Sequence, residues 1–362
     1  MDFPQTSAYA DATQRMVNEE TRFLGAMISG LPPARLSSLP HRASPSSLGR
    51  LDQFPTEILI MTLDYLDFQS LSRIAQTSKM GKDIVESLTV YQSMMQHAPE
   101  VLTALGRTGL LRYHPAALLH QTLRSKECVS CRDFGAFLLL PTSERVCFDC
   151  LDRNSALRVM RLNDAKTAFG LTEAHLKAIP VMKSIPGTYA VTWSTSQRRS
   201  LRLVNVRQAK RLALRVHGSS EALSKHAPRV RPGESRRNPW TLKGLHDAPL
   251  ENPGSDMSKM YRQKNLPEDD LGGIATIRFP FVSPEGTADV GRLCRGCEVT
   301  ATEFKYGRLP ETVRRELSGP LCGGHEPLRA AVSRLRTRED FVEHVQHCYG
   351  VQRLRNLEED AP

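Results

Sequence analysis

Seven of the eight cysteines in this 362-residue chain fall into patterns that can hold a metal ion. Cys128, Cys131, Cys147 and Cys150 form two Cys-x2-Cys pairs that bracket fifteen residues. Two thiolates two residues apart can turn round one cation, and two such turns complete a tetrahedron. Soft sulfur in a closed four-ligand shell selects zinc, and a shell with no open position is structural. The competing reading is a set of buried or redox thiols. A third pair, Cys294 and Cys297, supplies half of a second site. Its other half is assigned to His344 and Cys348, one helical turn apart, with Cys322, His325 and His347 as rival ligands. A RING arrangement needs eight interleaved ligands in one compact stretch, and the second half-site lies over 140 residues from the first. Catalytic zinc needs an open position with an acid nearby. No nucleophile–base pairing and no Gly-rich phosphate loop accompanies either cluster, so the expectation is a non-enzyme.

These ligands must be positioned by a chain that is 40% hydrophobic, enough for a sizeable core. No run approaches eighteen consecutive apolar residues, so no membrane span is predicted. The first thirty residues mix acids and bases without an apolar signal core. The expectation is a reducing intracellular compartment, cytoplasmic or nuclear, where cysteines serve as metal ligands rather than disulfides. The formal charge is +10, and it is concentrated. Residues 198–237 carry twelve Lys or Arg against two acids, and the remainder balances at 37 each. Such a segment suits nucleic acid, an acidic partner or an import receptor, against the plainer reading of a solvated surface.

Hydrophobic spacing then orders the elements. Residues 1–50 read as a tail with one weak helix, on which Val17, Leu24, Ile28 and Leu31 share a face, followed by a disordered Pro/Ser/Arg-rich linker over 32–50. A helical pattern runs from Leu51 to about Ser125. The segment "FGAFLLLP" between the first two cysteine pairs predicts a short strand. Residues 153–170 read as helical, Thr172 as a helix start, and Pro186-Gly187 as a type II turn leading into strands. A helix is predicted over 205–217, a long flexible loop over 228–273, and a strand at "IATIRFPFV" interrupted at Pro280. The stretch "TREDFVEHVQHCYGVQRLRNL" over 337–357 reads as helical, and in the domain division 351–362 is the C-terminal tail. The fold class expected is α+β and mostly helical, with a zinc-stabilised, loop-rich region carrying a few short strands.

The stretch 51–90 offers two apolar stripes on one short helix. Leu59, Leu63 and Leu66 form one, and Phe54, Ile58, Met61 and Tyr65 the other. A helix that packs on a single core needs one stripe, so the second implies another surface to bury. Ser70 is placed to cap the following helix, which offers Leu71, Ile74 and Ala75.

Leu51, Pro55, Glu57, Ile58, Leu59, Leu63, Leu66, Leu71 and Ile74 match in order the pattern of an F-box, which this three-helix stretch resembles. Phe54 stands where leucine is common. The cysteine segment 128–154, with "SIPGTY" and "CRGCE", is similar to a group of fungal F-box proteins with downstream cysteine pairs. The resemblance implies docking through these F-box residues on the linker subunit of an SCF ubiquitin ligase, and through it on a cullin. It implies a substrate-recruiting adaptor without catalytic residues, with regions 91–227 and 274–350 stabilised by zinc and an unspecified protein substrate. The alternative is a zinc-stabilised nucleic-acid binder using residues 198–237.

Overall fold

In the computed structural model the residues described are 14–18, 27–35, 46–189, 195–228, 239–251, 269, 271–318 and 325–359. Helices dominate, and the strands are short. After a 3-10 turn at Gly49–Gln53 come α1 (Thr56–Leu63), α2 (Phe68–Thr77), α3 (Lys79–Ser87), α4 (Thr89–His97), α5 (Pro99–Thr108) and α6 (Ala116–Arg124). Side-chain caps set the breaks between them. Asp67 caps α2 by accepting from the Ser70 amide at 2.9 Å, so Ser70 is the third residue of that helix and not its cap. Ser78 ends α2 and caps α3. Gly81 lies against the Ile74 carbonyl, where any Cβ would collide, so α2 and α3 can pack tightly.

The cysteine segment follows. Its strand β1 (Phe137–Leu139) is the central member of an antiparallel sheet, paired with β2 (Glu144–Val146) and with the distant β8 (Thr276–Arg278). Then come α7 (Phe148–Arg153), β3 (Val159–Arg161), α8 (Leu162–Phe169), α9 (Glu173–Leu176) and β4 (Met182–Lys183). The hairpin β5 (Gly187–Tyr189) with β6 (Thr195–Gln197) leads to β7 (Arg202–Asn205), α10 (Val206–His217), α11 (Ser220–Ser224) and α12 (Pro239–His246). After β8 come β9 (Phe281–Val282), β10 (Ala288–Asp289), α13 (Arg295–Lys305), α14 (Glu311–Ser318), α15 (His325–Ser333), α16 (Arg338–His347) and α17 (Tyr349–Glu359).

Several expectations change. Val159–Arg161 is a strand paired with β7 rather than part of a helix, because two central β-branched or apolar residues find a partner edge 44 residues on. Gly187 begins a strand and lacks the positive φ that a type II turn requires. The expected loop at 228–273 contains α12, which closes over α8. Residues 27–31 are not helical: Ile28 makes a parallel bridge to Ile277, and Met27, Ile28 and Leu31 are buried. Val17 bridges Cys294 and Met16 is buried, so these parts of the N-terminal stretch are packed rather than free. Leu24 and most of the linker lie outside the described residues.

Among the described residues the apolar side chains gather in three clusters. The largest joins the helices α1–α6 to the first cysteine segment and β8. A second lies among α8, α10 and α12, and a third, much smaller, surrounds Cys294, Cys297 and Cys348. Arg145 on β2 organises the first. It is 3% exposed, and its guanidinium donates to the carbonyls of Thr122, Gly135, Phe279 and Pro280 while stacking over the Phe279 ring at 4.7 Å. Burial pulls its pKa down to about 9, which leaves it charged at neutral pH. Carbonyl dipoles thus do the work of a counter-ion. Arg145→Met should cost about 3 kcal/mol, read as a lower urea midpoint, because the carbonyls lose their donors in a dry interior.

His114 ties the helical region to the same segment, donating from Nε2 to the Leu140 carbonyl at 2.9 Å. Burial holds its pKa down to about 4, below the unfolded value near 6.5. The unfolded chain therefore binds the extra proton first. Stability from this group is complete above pH 6.5 and declines as pH falls toward 4, by about 2 kcal/mol at pH 5. His114→Gln keeps a donor and should flatten that part of the pH dependence, measured against wild type by denaturant melts at pH 7 and pH 5.

Candidate functional site

The two apolar stripes of α1 part company. Leu59 and Leu63 are buried in the main cluster, where Leu66 packs against them. Leu71 is fully buried and Ile74 partly so. Leu59, Leu63 and Leu71 hold the helices together from inside the core, while Leu66 and Ile74 keep part of their surface exposed. The other stripe faces outward: Phe54 is 53% exposed, Ile58 49%, Met61 63% and Tyr65 78%, and Leu51, which the stripe did not include, adds to it at 41%. Pro55 and Glu57 are exposed beside it. Pro55 is the N-cap of α1, one position before the helix proper. Five large apolar side chains within fifteen residues, rimmed by polar ones, are what an unburied protein-binding surface looks like.

The first cysteine cluster is assembled by two local turns. Cys128 starts a tight turn in which its amide donates to Asp133 O and Arg132 takes a left-handed φ of 71°. Cys147 caps α7, accepting from the Cys150 amide at 3.4 Å, so the second pair sits at a helix start. The β1–β2 pairing brings the turns face to face, and all four Sγ atoms lie within 4.8 Å of one another. Cys131 and Cys147 are 3.7 Å apart. That is far beyond a disulfide and close to the roughly 3.8 Å edge of a tetrahedron of sulfurs about zinc. The amides of Ser130 and Cys147 donate to Cys128 Sγ, which offsets thiolate charge. Hydrogen bonds from Cys131, Cys147 and Cys150 draw the Cys128 pKa well below the usual thiol range. Their contacts with Cys128 push Cys147 and Cys150 up. A divalent cation removes this competition by stabilising every thiolate at once.

Cys294, Cys297, His344 and Cys348 also converge within 4.8 Å. Cys294 and Cys348 are 3.8 Å apart, and Cys297 Sγ lies 3.2 Å from His344 Nε2. The site is a junction of helix ends. Cys294 caps α13 and Cys297 lies in its first turn, not in a loop; His344 is in the last turn of α16; Cys348 separates α16 from α17. Close approach of α13 and α17 depends on two glycines, since a Cβ on Gly350 would fall on the Gly296 carbonyl. Each lies beside a ligand, in "CRGCE" and "CYG", a signal the sequence held. Arg336 brings a guanidinium to 3.9 Å from Cys297 Sγ. Among the rivals, His347 is exposed outside the cluster, while Cys322 and the His325 side chain lie outside the described residues. Contacts among Cys294, Cys297 and Cys348 pull the Cys348 pKa down and push that of Cys297 up.

The basic segment is partly consumed by the fold. Arg207 is buried against Glu144, Arg202 pairs with Glu173 at 2.9 Å, and the Lys210 ammonium donates to Ala248 O. Arg198, Arg199, Arg211 and Arg215 are exposed, and residues 229–237 lie outside the described part.

No helix among the described residues is long and apolar enough to cross a membrane. No curated protein and no solved structure matches the chain. The helical segment that presents the outward stripe matches the family model of the F-box domain over residues 51–93.

Proposed function

We propose that this protein recruits substrates to an SCF-type cullin-RING ubiquitin ligase. F-box domains typically bind the ligase's linker subunit and through it a cullin. The observation that carries the reading is the outward stripe Leu51, Phe54, Ile58, Met61 and Tyr65, which lies inside the matched segment. Burying it against the linker would supply the affinity, with Pro55 and Glu57 at its edge. The remainder of the chain would present a protein target, so the contribution to catalysis is proximity rather than bond chemistry.

Both sulfur-rich clusters are read as structural zinc centres of the fungal F-box type, one held by Cys128, Cys131, Cys147 and Cys150, the other by Cys294, Cys297, His344 and Cys348. Closed four-ligand sets of thiolate and imidazole support this, because they leave no position for substrate or water. Zinc there would neutralise packed thiolates and fix the turns. The test is capture of the purified full chain by purified linker subunit, with zinc counted in the same sample. Binding with about two zinc ions per chain supports the reading. A folded, zinc-loaded chain that does not bind removes the docking claim.

A further inference from the structure

Residues 16–18 lie along the backbone that carries the first ligand of the second metal centre. Asn18 N donates to Leu293 O at 3.0 Å and Arg295 N donates to Met16 O at 2.9 Å, so these bonds bracket Cys294 on both sides. Val17 and Cys294 form the antiparallel bridge between them. On the other edge Arg292 exchanges two backbone bonds with Arg336, so the backbone leading to Cys294 is bridged on both edges, by residues 16–18 and by Arg336. Asn18 Nδ2 also reaches Glu298 on α13 at 2.8 Å. Met16 is 2% exposed and belongs to the small cluster containing Cys294, Cys297, Phe341, Val345, Cys348 and Val351.

The same segment continues to two further anchor points. Ile28 N donates to Thr276 O beside β8, whose neighbour β1 lies within the first cysteine segment. Ala34 N donates to Pro99 O at the start of α5, in the helical region that follows the F-box. One stretch of chain thus touches the second metal centre, the sheet of the first, and the helices.

We propose that residues 16–18 are held in place by the second metal centre, so that zinc binding there and docking of residues 16–18 are one linked equilibrium. The inference rests on the zinc reading given above. Its physical basis is reciprocity. The segment grips both peptide neighbours of Cys294 and packs Met16 on the ligand cysteines, so it favours the ligated geometry. Whatever favours that geometry raises metal affinity, and the metal favours docking of the segment by the same factor.

Two variants of the full chain test this. Met16→Asp places a charge in the small cluster, and Asn18→Pro deletes the amide that bonds Leu293. Both should release the second zinc to a colorimetric chelator about tenfold faster, while the first zinc and linker-subunit binding stay as in wild type. In the converse experiment, Cys348→Ser should speed hydrogen exchange at the Asn18 and Arg295 amides and leave the Ile28 amide protected. Wild-type release rates in both variants would overturn the proposal. So would a wild-type chain that holds only one zinc, and linker binding in the same preparation would still report separately on the docking claim.

Discussion

Ile58→Asp combined with Met61→Asp should abolish binding to the SCF linker subunit while leaving the fold intact. Both side chains are about half exposed or more, so neither contributes much to the core. Substitutions at such positions usually change stability by less than about 0.5 kcal/mol. At the centre of an interface the same changes remove apolar anchors and put two carboxylates where water is excluded. Anchor residues of this kind are typically worth about 2–4 kcal/mol each, so affinity should fall more than roughly a hundredfold. Titration calorimetry with purified linker subunit reads the loss, and thermal melting shows that the chain is still folded. Wild-type binding should also show a negative heat-capacity change, as expected when an apolar stripe is buried. Leu59→Ala is the instructive contrast. Leu59 is 6% exposed in the main cluster, so this variant should lose about 2–5 kcal/mol of stability and give an ambiguous binding result. Equal affinity of the double aspartate variant and wild type would move the docking surface elsewhere.

Cys131→Ala should have the larger effect on the molecule as a whole. Its cluster lies inside the main core, with Cys128 and Cys150 fully buried and neighbouring residues running from α1 to β8. Structural zinc contributes about 10 kcal/mol or more to folding in small metal-stabilised modules. A natural domain has only about 5–15 kcal/mol to lose. The variant should retain about one zinc per chain and lose its cooperative melting transition, checked by metal analysis and circular dichroism. The equivalent change in the second centre, Cys348→Ser, should be milder. That centre has its own small cluster, separate from the helices that present the F-box face. Zinc stoichiometry of two and unchanged melting in Cys131→Ala would show that this cysteine is not a ligand.

What the residues determined by themselves was local. Cys-x2-Cys spacing is a short-range property of the chain, and it named all four members of the first cysteine cluster and half of the second. The two stripes of α1 were legible because helical geometry converts a spacing of three and four into a face. Thr172 as a helix cap and the strand in "FGAFLLLP" follow from equally local preferences. Tertiary structure decided everything that needed a partner distant along the chain. The period shows two stripes but not which one meets a core, and only the packing of α1 on its neighbours turned Leu59 inward and Met61 outward. Residues 159–161 read as helix until β7 offered an edge. Met16 and Val17 looked like part of a loose tail because their partners lie almost 280 residues away, at Cys294. His344 and Cys348 were named by their spacing, but what brings them to Cys294 and Cys297 is the close approach of α13 and α17 that Gly296 and Gly350 allow. Arg145 gave no signal at all in the sequence, since its four carbonyl partners are backbone atoms, and backbone atoms look alike at every position until the fold brings them together.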